Sequence, residues 1–589
     1  MATAELPRRW AWPALGAVLA AGLGLRLWGI QQGLPYAYNA DEADHFVPRA
    51  VAMFGHDLNP HYFANPPAFT YVLHFLYAIA YGGKHGVSEA FALHPSDLYT
   101  LARIAAAVLG VLALWLLYAS GARLFSRAVG LLAAAIEAVA FLPVFYSHLA
   151  LNDVPTLAPL TLSLLGTAGV LRSGRLRDFL IAGVGLGLAC ASKYTAGIVL
   201  VPLLAATATR LLDAEAGADR RQLAVRAAVG LLIAGVSAFA AFFLTNPYSL
   251  LDYKSFHAEL VHQSTLSAEA QGKLGAPRDG GLYYYLWCLT WGLGWAPAIA
   301  SLGGALAIWR VDRRLAAVLV PAPLLFLAFM GLQGRYFGRW LLPIFPLLCL
   351  LAAFFVLELA GMLASLIARR FSLGASRRPA VALAIALALS VLVLAQGVVY
   401  SVHSGLVLSR ADTRSLTRSW MLANVPAGTK IVAEPVSPDV WARELPGTFP
   451  HSSEDPYRWI KYPELISRIS PSGALLSSGF HIVGIEDYVR TLSPALLGYY
   501  KAHGYCTVLS GSTEAGRAFA DPHAVPLAIA YYRALERDGE VIFRASPYKR
   551  GAGPVAFGFD WSFDYYPLAY ERPGPLITVY RLHGSRCGR

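Results

Sequence analysis

Residues 10–30 read WAWPALGAVLAAGLGLRLWGI, an apolar run of about the 20 residues that a helix needs to cross the hydrocarbon of a bilayer. It leads into YNADEADHFVPR at 38–49, which sets adjacent acids and a histidine just past the end of the span. Runs of this kind recur along the chain. With 589 residues, 56% of them hydrophobic and 14% charged, too little polar surface remains to clothe a soluble globule. The expectation is a polytopic α-helical membrane protein. Trp10, Trp12 and Trp28 flank the first run as interfacial anchors, and no small-residue cleavage site follows it. It therefore reads as an uncleaved span in preference to a signal peptide.

The net charge of +12 does not point to nucleic acid, because the basic residues fall in short clusters between apolar runs and form no stripe. Arg8-Arg9, Arg123/Arg127, Arg172/Arg175/Arg177, Arg220-Arg221/Arg226, Arg310/Arg313-Arg314 and Arg369-Arg370/Arg377-Arg378 mark loops that the positive-inside rule assigns to the cytoplasm. With these as markers, spans are expected near 10–30, 100–120, 128–148, 155–171, 178–194, 196–211, 227–246, 283–309, 315–332, 341–362 and 380–402, about 11 in all. Counting FTYVLHFLYAIAY at 69–81 as a further crossing would invert every later cluster, so it is expected as a helix lying in the outer face. The parity then puts residues 31–99, the turn at 149–154, the surroundings of Lys193 and the loop at 333–340 on one outer side.

The expected division is a membrane part at 1–402 and an extracytoplasmic α/β domain at 403–589. In the latter TKIVAEPV, FHIVGIED, EVIFRAS and LITVYRL read as strands, and TRSLTRSWMLANV as a helix. Cys506 and Cys587 lie there and form a disulfide if that side is oxidising; two free thiols are the alternative.

Several ionisable residues share the outer side, and each also has a purely structural reading. Asn39 and Glu42 fit a capping box, which accounts for Glu42 but not for Asp41 and His45 one turn apart at the lip of a span. Asn152-Asp153 before a proline fits a turn, yet parity brings Asp153 to the face of Asp41 and Glu42. Lys193, the only lysine between residues 85 and 253, sits on the side that the positive-inside rule disfavours. Arg335 and Arg339 in QGRYFGRW are guanidinium groups among aromatics, suited to phosphate oxygens. His61, Tyr62, Asn65 and Pro66-Pro67 belong to the same outer loop. No metal-ligand spacing recurs around His45 or His61.

These pieces in this order resemble the GT-C class of membrane glycosyltransferases, specifically the protein O-mannosyltransferase and aminoarabinose-transferase-like group (glycosyltransferase family 39-like). The resemblance is carried by Asp41-Glu42, Pro66-Pro67, Arg103 in LARIAAAVLG, Asp153, the Lys193 segment, RYFGRWLLPIFP and ADTRSLTRSWMLANVPAGTKI. It implies a sugar donor on polyprenyl phosphate and an extracytoplasmic active site in a bacterial plasma membrane, with Asp41 as base. Asn65 departs from the aminoarabinose-transferase pattern, which has a Glu-Lys pair just before the prolines, and this speaks against lipid A as acceptor. The stretch after 403 also differs from the β-trefoil insert of eukaryotic protein mannosyltransferases.

The expected chemistry is one inverting displacement. Asp41 takes the acceptor proton, helped by Glu42 and Asp153, while Lys193, Arg335 and Arg339 meet the charge that develops on the leaving phosphate. His45, His61, Tyr62, Asn65, Arg103, Tyr194 and Tyr336 are the candidate substrate contacts. With Lys193 and Arg335 to compensate that charge the sequence does not require a catalytic metal, although Glu42 and Asp153 are the pair that would hold a divalent ion. The acceptor, whether glycan, protein or lipid, stays open. The alternative is a transporter or lipid flippase, which predicts inverted repeats and midplane charges instead of charges gathered at one face.

Overall fold

The computed structural model describes residues 6–588 apart from 213–219, 269–273, 275–279, 373, 375–376, 435–438, 444–456, 463–466, 470–474, 481–487 and 559–566. Among the described residues, the regular elements of the membrane part are helices. Its helices are α1 (Arg8–Leu27), α2 (Val47–Ala52), α3 (Ala68–Tyr81), α4 (Lys84–Leu93), α5 (Pro95–Leu124), α6 (Arg127–Val139) and α7 (Phe141–Tyr146). Next come α8 (Leu157–Ser173), α9 (Leu176–Ser192), α10 (Leu200–Leu212), α11 (Arg220–Leu244), α12 (Tyr248–Leu251) and α13 (Tyr253–Ala268). The bundle is completed by α14 (Gly281–Leu289), α15 (Trp295–Val311), α16 (Arg313–Leu319), α17 (Pro321–Gly331), α18 (Phe345–Arg370) and α19 (Arg378–Leu408).

Among the described residues, 8 helices are long and apolar enough to cross a membrane by length and composition. Each of the remaining expected spans also coincides with helix, in shorter pieces. The span expected at 128–148 is divided by Ala140, whose extended ψ of 130° separates α6 from α7. Similarly, Lys193 at φ −156° and ψ 120° interrupts the chain between α9 and the 3₁₀ turn at Tyr194–Val199. The helix α19 runs on past the expected boundary at 402. The helix α3 packs on α2, α5 and α9, burying Tyr71, His74 and Tyr77 while Val72, Phe75 and Ile79 form an exposed apolar stripe. That is the pattern of a helix lying along a surface.

Close backbone approach holds α8 against α9. A Cβ on Gly166 would come within 2.3 Å of the Ala182 nitrogen, and one on Gly185 within 2.4 Å of the Ser163 nitrogen. Small residues of this kind let transmembrane helices pack backbone to backbone. The consequence is positional, because Asp153 precedes α8 and Lys193 follows α9, so the tight hairpin brings both to one face. At its other end the basic loops gather: Arg123 pairs with Asp178 at 2.8 Å, Arg172 donates to the Leu124 carbonyl and Arg127 to that of Leu6 at 3.1 Å.

A buried polar feature ties these elements together, the pair of Glu42 and Arg103, both side chains wholly buried. Arg103 Nε and Nη2 each donate to a Glu42 carboxylate oxygen at 2.7 Å, and Nη1 donates to the carbonyls of Ile30 and Gln32 at 2.7 and 2.8 Å. The Ala150 N–H adds a bond to Glu42 at 2.8 Å. One fork thus ties the end of α1, the first loop, α5 and the turn before α8 into a single node. The structure thus places Glu42 and Arg103, expected as an acid of the site and a substrate contact, together inside the bundle, where each bonds the other and nearby backbone groups. Of the capping box only half forms: Asn39 Oδ1 accepts the Glu42 N–H at 3.2 Å, while the Glu42 side chain is drawn away to Arg103.

The C-terminal part adds α20 (Thr413–Asn424), α21 (Ala495–His503), α22 (Ser512–Ala520) and α23 (Pro526–Asp538). Its strands are β1 (Lys430–Ala433), β2 (Ile460–Tyr462), β3 (Ser467–Ile469), β4 (Leu475–Phe480), β5 (Thr507–Gly511), β6 (Gly539–Ala545) and β7 (Ile577–Leu582). Five of them make a mixed sheet in the order β2-β1-β5-β7-β6, in which β1 is parallel to β2 and β5, and β7 antiparallel to β5 and β6. The expected strands at 429–436, 540–546 and 576–582 fall on β1, β6 and β7. That at 480–487 lies almost wholly outside the described residues, and β2 and β5 were not anticipated. Cys506 and Cys587 are disulfide-bonded.

This domain grips the first loop. The Arg414 guanidinium lies 3.8 Å from the centroid of the Tyr38 ring, whose hydroxyl bonds Ser415 Oγ at 2.9 Å. Tyr36 joins Met421, Trp441 and Trp459 in an apolar cluster, with Arg418 5.6 Å from its ring.

Two outcomes are expected. Arg103→Met leaves a buried, unpaired carboxylate and should lower stability by about 3–5 kcal/mol, read as a drop in thermal unfolding temperature; an unchanged melting curve would contradict the role of the pair. Cys587→Ser should remove about 2–4 kcal/mol from the C-terminal domain, and a non-reducing digest of the parent protein should yield a linked Cys506–Cys587 peptide.

Candidate active site

Four residues that lie far apart in sequence meet on the face of the first loop. The Lys193 ammonium donates to one oxygen of Asp153, and the other oxygen faces Arg339 Nε at 3.7 Å. Arg339 Nη2 then donates to Asp41 Oδ2 at 2.6 Å. The result is a chain of alternating charges, Asp41, Arg339, Asp153 and Lys193, with no net charge. Side-chain exposure falls from 36% at Asp41 to 13% at Arg339 and 4% at Asp153, so Asp41 is the carboxylate that an incoming molecule can reach.

Each member is set by its local chain. Asp41 is the residue before Glu42 and inherits the fixed position of the buried fork. Asn152 Nδ2 donates to the Ser192 carbonyl at 2.6 Å, pinning the Asp153 turn to the end of α9 beside Lys193. Arg339 opens the 3₁₀ stretch Gly338–Ile344 and lies 4.5 Å from the centroid of the Phe337 ring and 5.9 Å from that of Tyr146. Arg335, half-buried, sits four residues earlier, and Arg339 is the guanidinium that meets both carboxylates.

A wall of aromatic and polar groups adjoins Asp41. The His45 ring stacks on Tyr62 with centroids 4.4 Å apart and planes at 11°. Arg49 lies 4.6 Å from the centroid of the same Tyr62 ring, and Asn65 Nδ2 donates to the Tyr62 hydroxyl at 2.8 Å. Burial pushes the Tyr62 phenol up to about 12 and lowers His45 below the usual imidazole range, so both are neutral at pH 7. Tyr194 donates from its hydroxyl to the Phe63 carbonyl at 2.9 Å. Tyr336 packs against Tyr284, with centroids 5.2 Å apart. The His61 side chain stands in the open, 3.6 Å from Asp57, while its carbonyl joins the wall, accepting from Arg49 at 2.9 Å.

Sequence reasoning missed Arg49 and Glu259. Arg49 closes the quoted stretch YNADEADHFVPR, where its spacing four residues after His45 was a usable signal. Glu259 lies on α13, in the segment after α11 that the same parity argument puts on the site face. Its carboxylate accepts the N–H groups of Phe63 and Ala64, a pairing that no local pattern announces. Among the described residues, no three His, Cys, Asp or Glu side chains gather as a metal-ligand set.

With this geometry, comparisons with known proteins are informative. Residues 65–241 match the family model of dolichyl-phosphate-mannose-protein mannosyltransferases. The apo oligosaccharyltransferase of Archaeoglobus fulgidus is similar in structure at TM-score 0.51 and 16% identity, covering 94% of this chain and 75% of that one. ArnT of Cupriavidus metallidurans bound to undecaprenyl phosphate aligns over 98% of both chains at 15% identity and TM-score 0.45. The oligosaccharyltransferase AglB of Archaeoglobus fulgidus, in complex with an inhibitory peptide and a dolichol-phosphate, aligns over 94% of this chain and 74% of that one at 15% identity and TM-score 0.49. No curated protein sequence gives a significant match. The chain is thus a polytopic helical membrane protein that shares its fold with the archaeal oligosaccharyltransferase, and its residues 65–241 match the family model of dolichyl-phosphate-mannose-protein mannosyltransferases.

Proposed function

We propose that the protein moves a sugar from a polyprenyl-phosphate-linked donor to an acceptor hydroxyl of a glycan, protein or lipid, by one inverting displacement with Asp41 as base. The observation that carries this reading is the alternating charge chain with a single open carboxylate at its end. The family matched by residues 65–241 is described by a dolichyl-phosphate donor, which supports the same donor class here.

The steps follow from charge. An acceptor hydroxyl is too weakly acidic to attack unaided, so Asp41 removes its proton as the oxygen reaches the anomeric carbon. The bond from that carbon to the phosphate oxygen breaks, and the phosphate goes from a singly to a doubly charged anion. Lys193 and Arg339, with Arg335 nearby, meet that second charge. The coupling is favourable, since a protonated Asp41 no longer holds Arg339 as an ion pair and the guanidinium is released as the phosphate needs it. Asp153 keeps both cations in place. These side chains supply the charge compensation for which a divalent ion would otherwise serve.

The reading locates the protein in a bacterial plasma membrane with the site and the C-terminal domain facing away from the cytoplasm. The Cys506–Cys587 disulfide and the basic loops on the opposite face support that orientation.

The test uses full-length protein in nanodiscs with a labelled polyprenyl-phosphate sugar. Asp41→Asn should slow transfer by about 10²–10⁴-fold at an unchanged melting temperature, and Lys193→Ala should also reduce it. Transfer at the parent rate by Asp41→Asn would remove Asp41 from the chemistry.

A further inference from the structure

The helix α13 is exposed over most of its length, yet its segment is fastened to separate parts of the site face. Just before it, Asp252 Oδ2 accepts from Asn59 Nδ2 at 2.9 Å. In its middle, Glu259 Oε2 accepts the N–H of Phe63 at 2.5 Å and that of Ala64 at 2.9 Å. Near its end the Ser267 carbonyl accepts the N–H of Gly334, the neighbour of Arg335, at 2.7 Å. Farther on, Leu274 is buried in the C-terminal domain in the cluster of Tyr488, Leu497 and Tyr531.

The Glu259 contact acts on the wall beside Asp41. Phe63 and Ala64 lie outside helix and sheet, so their N–H groups have no ladder to satisfy them. A carboxylate that takes both is a charge-assisted anchor. The same short stretch is held from the other side, where Tyr194, next to Lys193, donates to the Phe63 carbonyl. Phe256, one turn before Glu259, sets its ring edge-on to Phe63 with centroids 5.7 Å apart. Phe63 is therefore fixed through its N–H, its carbonyl and its ring, and its neighbours Tyr62 and Asn65 carry the wall.

We propose that Glu259 is a positioning residue of the transfer site: through Phe63 and Ala64 it fixes the distance of Tyr62 and Asn65 from Asp41, and with it the fit of the donor's phosphate end. This rests on the reading of the site as one for a polyprenyl-phosphate donor. The role is one of geometry. Gln at 259 keeps an oxygen at the same reach for both N–H groups, whereas Asp keeps the charge and falls short by one methylene.

The experiment measures the Kd of undecaprenyl phosphate for the full-length protein in nanodiscs, alongside thermal unfolding. Glu259→Asp and Glu259→Ala should each raise Kd by about tenfold, since an ångström of misplacement has effects of that order or larger. Glu259→Gln should stay within about threefold of the parent, and His257→Ala, on the exposed side of the same helix, should match the parent. Parent-like binding by Glu259→Asp overturns the inference, as does a loss by Glu259→Gln equal to that of Glu259→Ala, which would make charge the cause. If Glu259→Ala fails to fold, the Asp and Gln variants decide by the same comparison. A parent protein that does not bind the lipid overturns the donor reading and takes this inference with it, whereas loss of transfer in Asp41→Asn beside an unaffected Glu259→Asp overturns the inference alone.

Discussion

The buried fork between Glu42 and Arg103 is the constraint on which the site depends. A guanidinium and a carboxylate in the interior of an apolar bundle persist only when all their partners are supplied, and here the carbonyls of Ile30 and Gln32 and the N–H of Ala150 supply them. The node has a geometric effect beyond its energy. It fastens the residue next to Asp41 to the turn that leads, three residues after Ala150, to Asp153. Two carboxylates 112 positions apart in the chain are thereby referred to one fixed point.

The second support is the tight contact of α8 with α9, which lets Asp153 and Lys193 bond across the open end of a hairpin. Combined with the fork, it leaves Arg339 a single slot between two carboxylates. The mutual compensation of these charges lets them sit at the edge of an apolar bundle without counter-ions. Of these four charges Asp41 is the most exposed, so the chain meets the surface chiefly at that carboxylate.

Much of this was legible in the sequence, and the parts that were not have physical reasons. The parity of basic loops placed Asp41, Asp153 and Lys193 on one side, because charge asymmetry between membrane faces is a property of the whole chain and survives errors in helix ends. Parity cannot choose between Arg335 and Arg339, which share a loop and an aromatic setting; that choice is made by the 3₁₀ stretch that begins at Gly338. The pairing of Glu42 with Arg103 was not legible, because the two lie 61 residues apart and only packing joins them. The strand β5 was overlooked since its residues are buried on both sides in a mixed sheet and show no alternation. Glu259 escaped for a related reason: its partners are backbone N–H groups, which every sequence has.

The hold of α20 on Tyr36 and Tyr38 bears on how the molecule is made. A ribosome has threaded every apolar helix from α1 to α19 before it reaches Arg414 and Arg418, and until then the loop leading to Asp41 lacks one of its anchors. The bundle can therefore be fully inserted while its reactive edge is still unfinished. That edge gains its last support only once α20 has followed the membrane helices out of the ribosome.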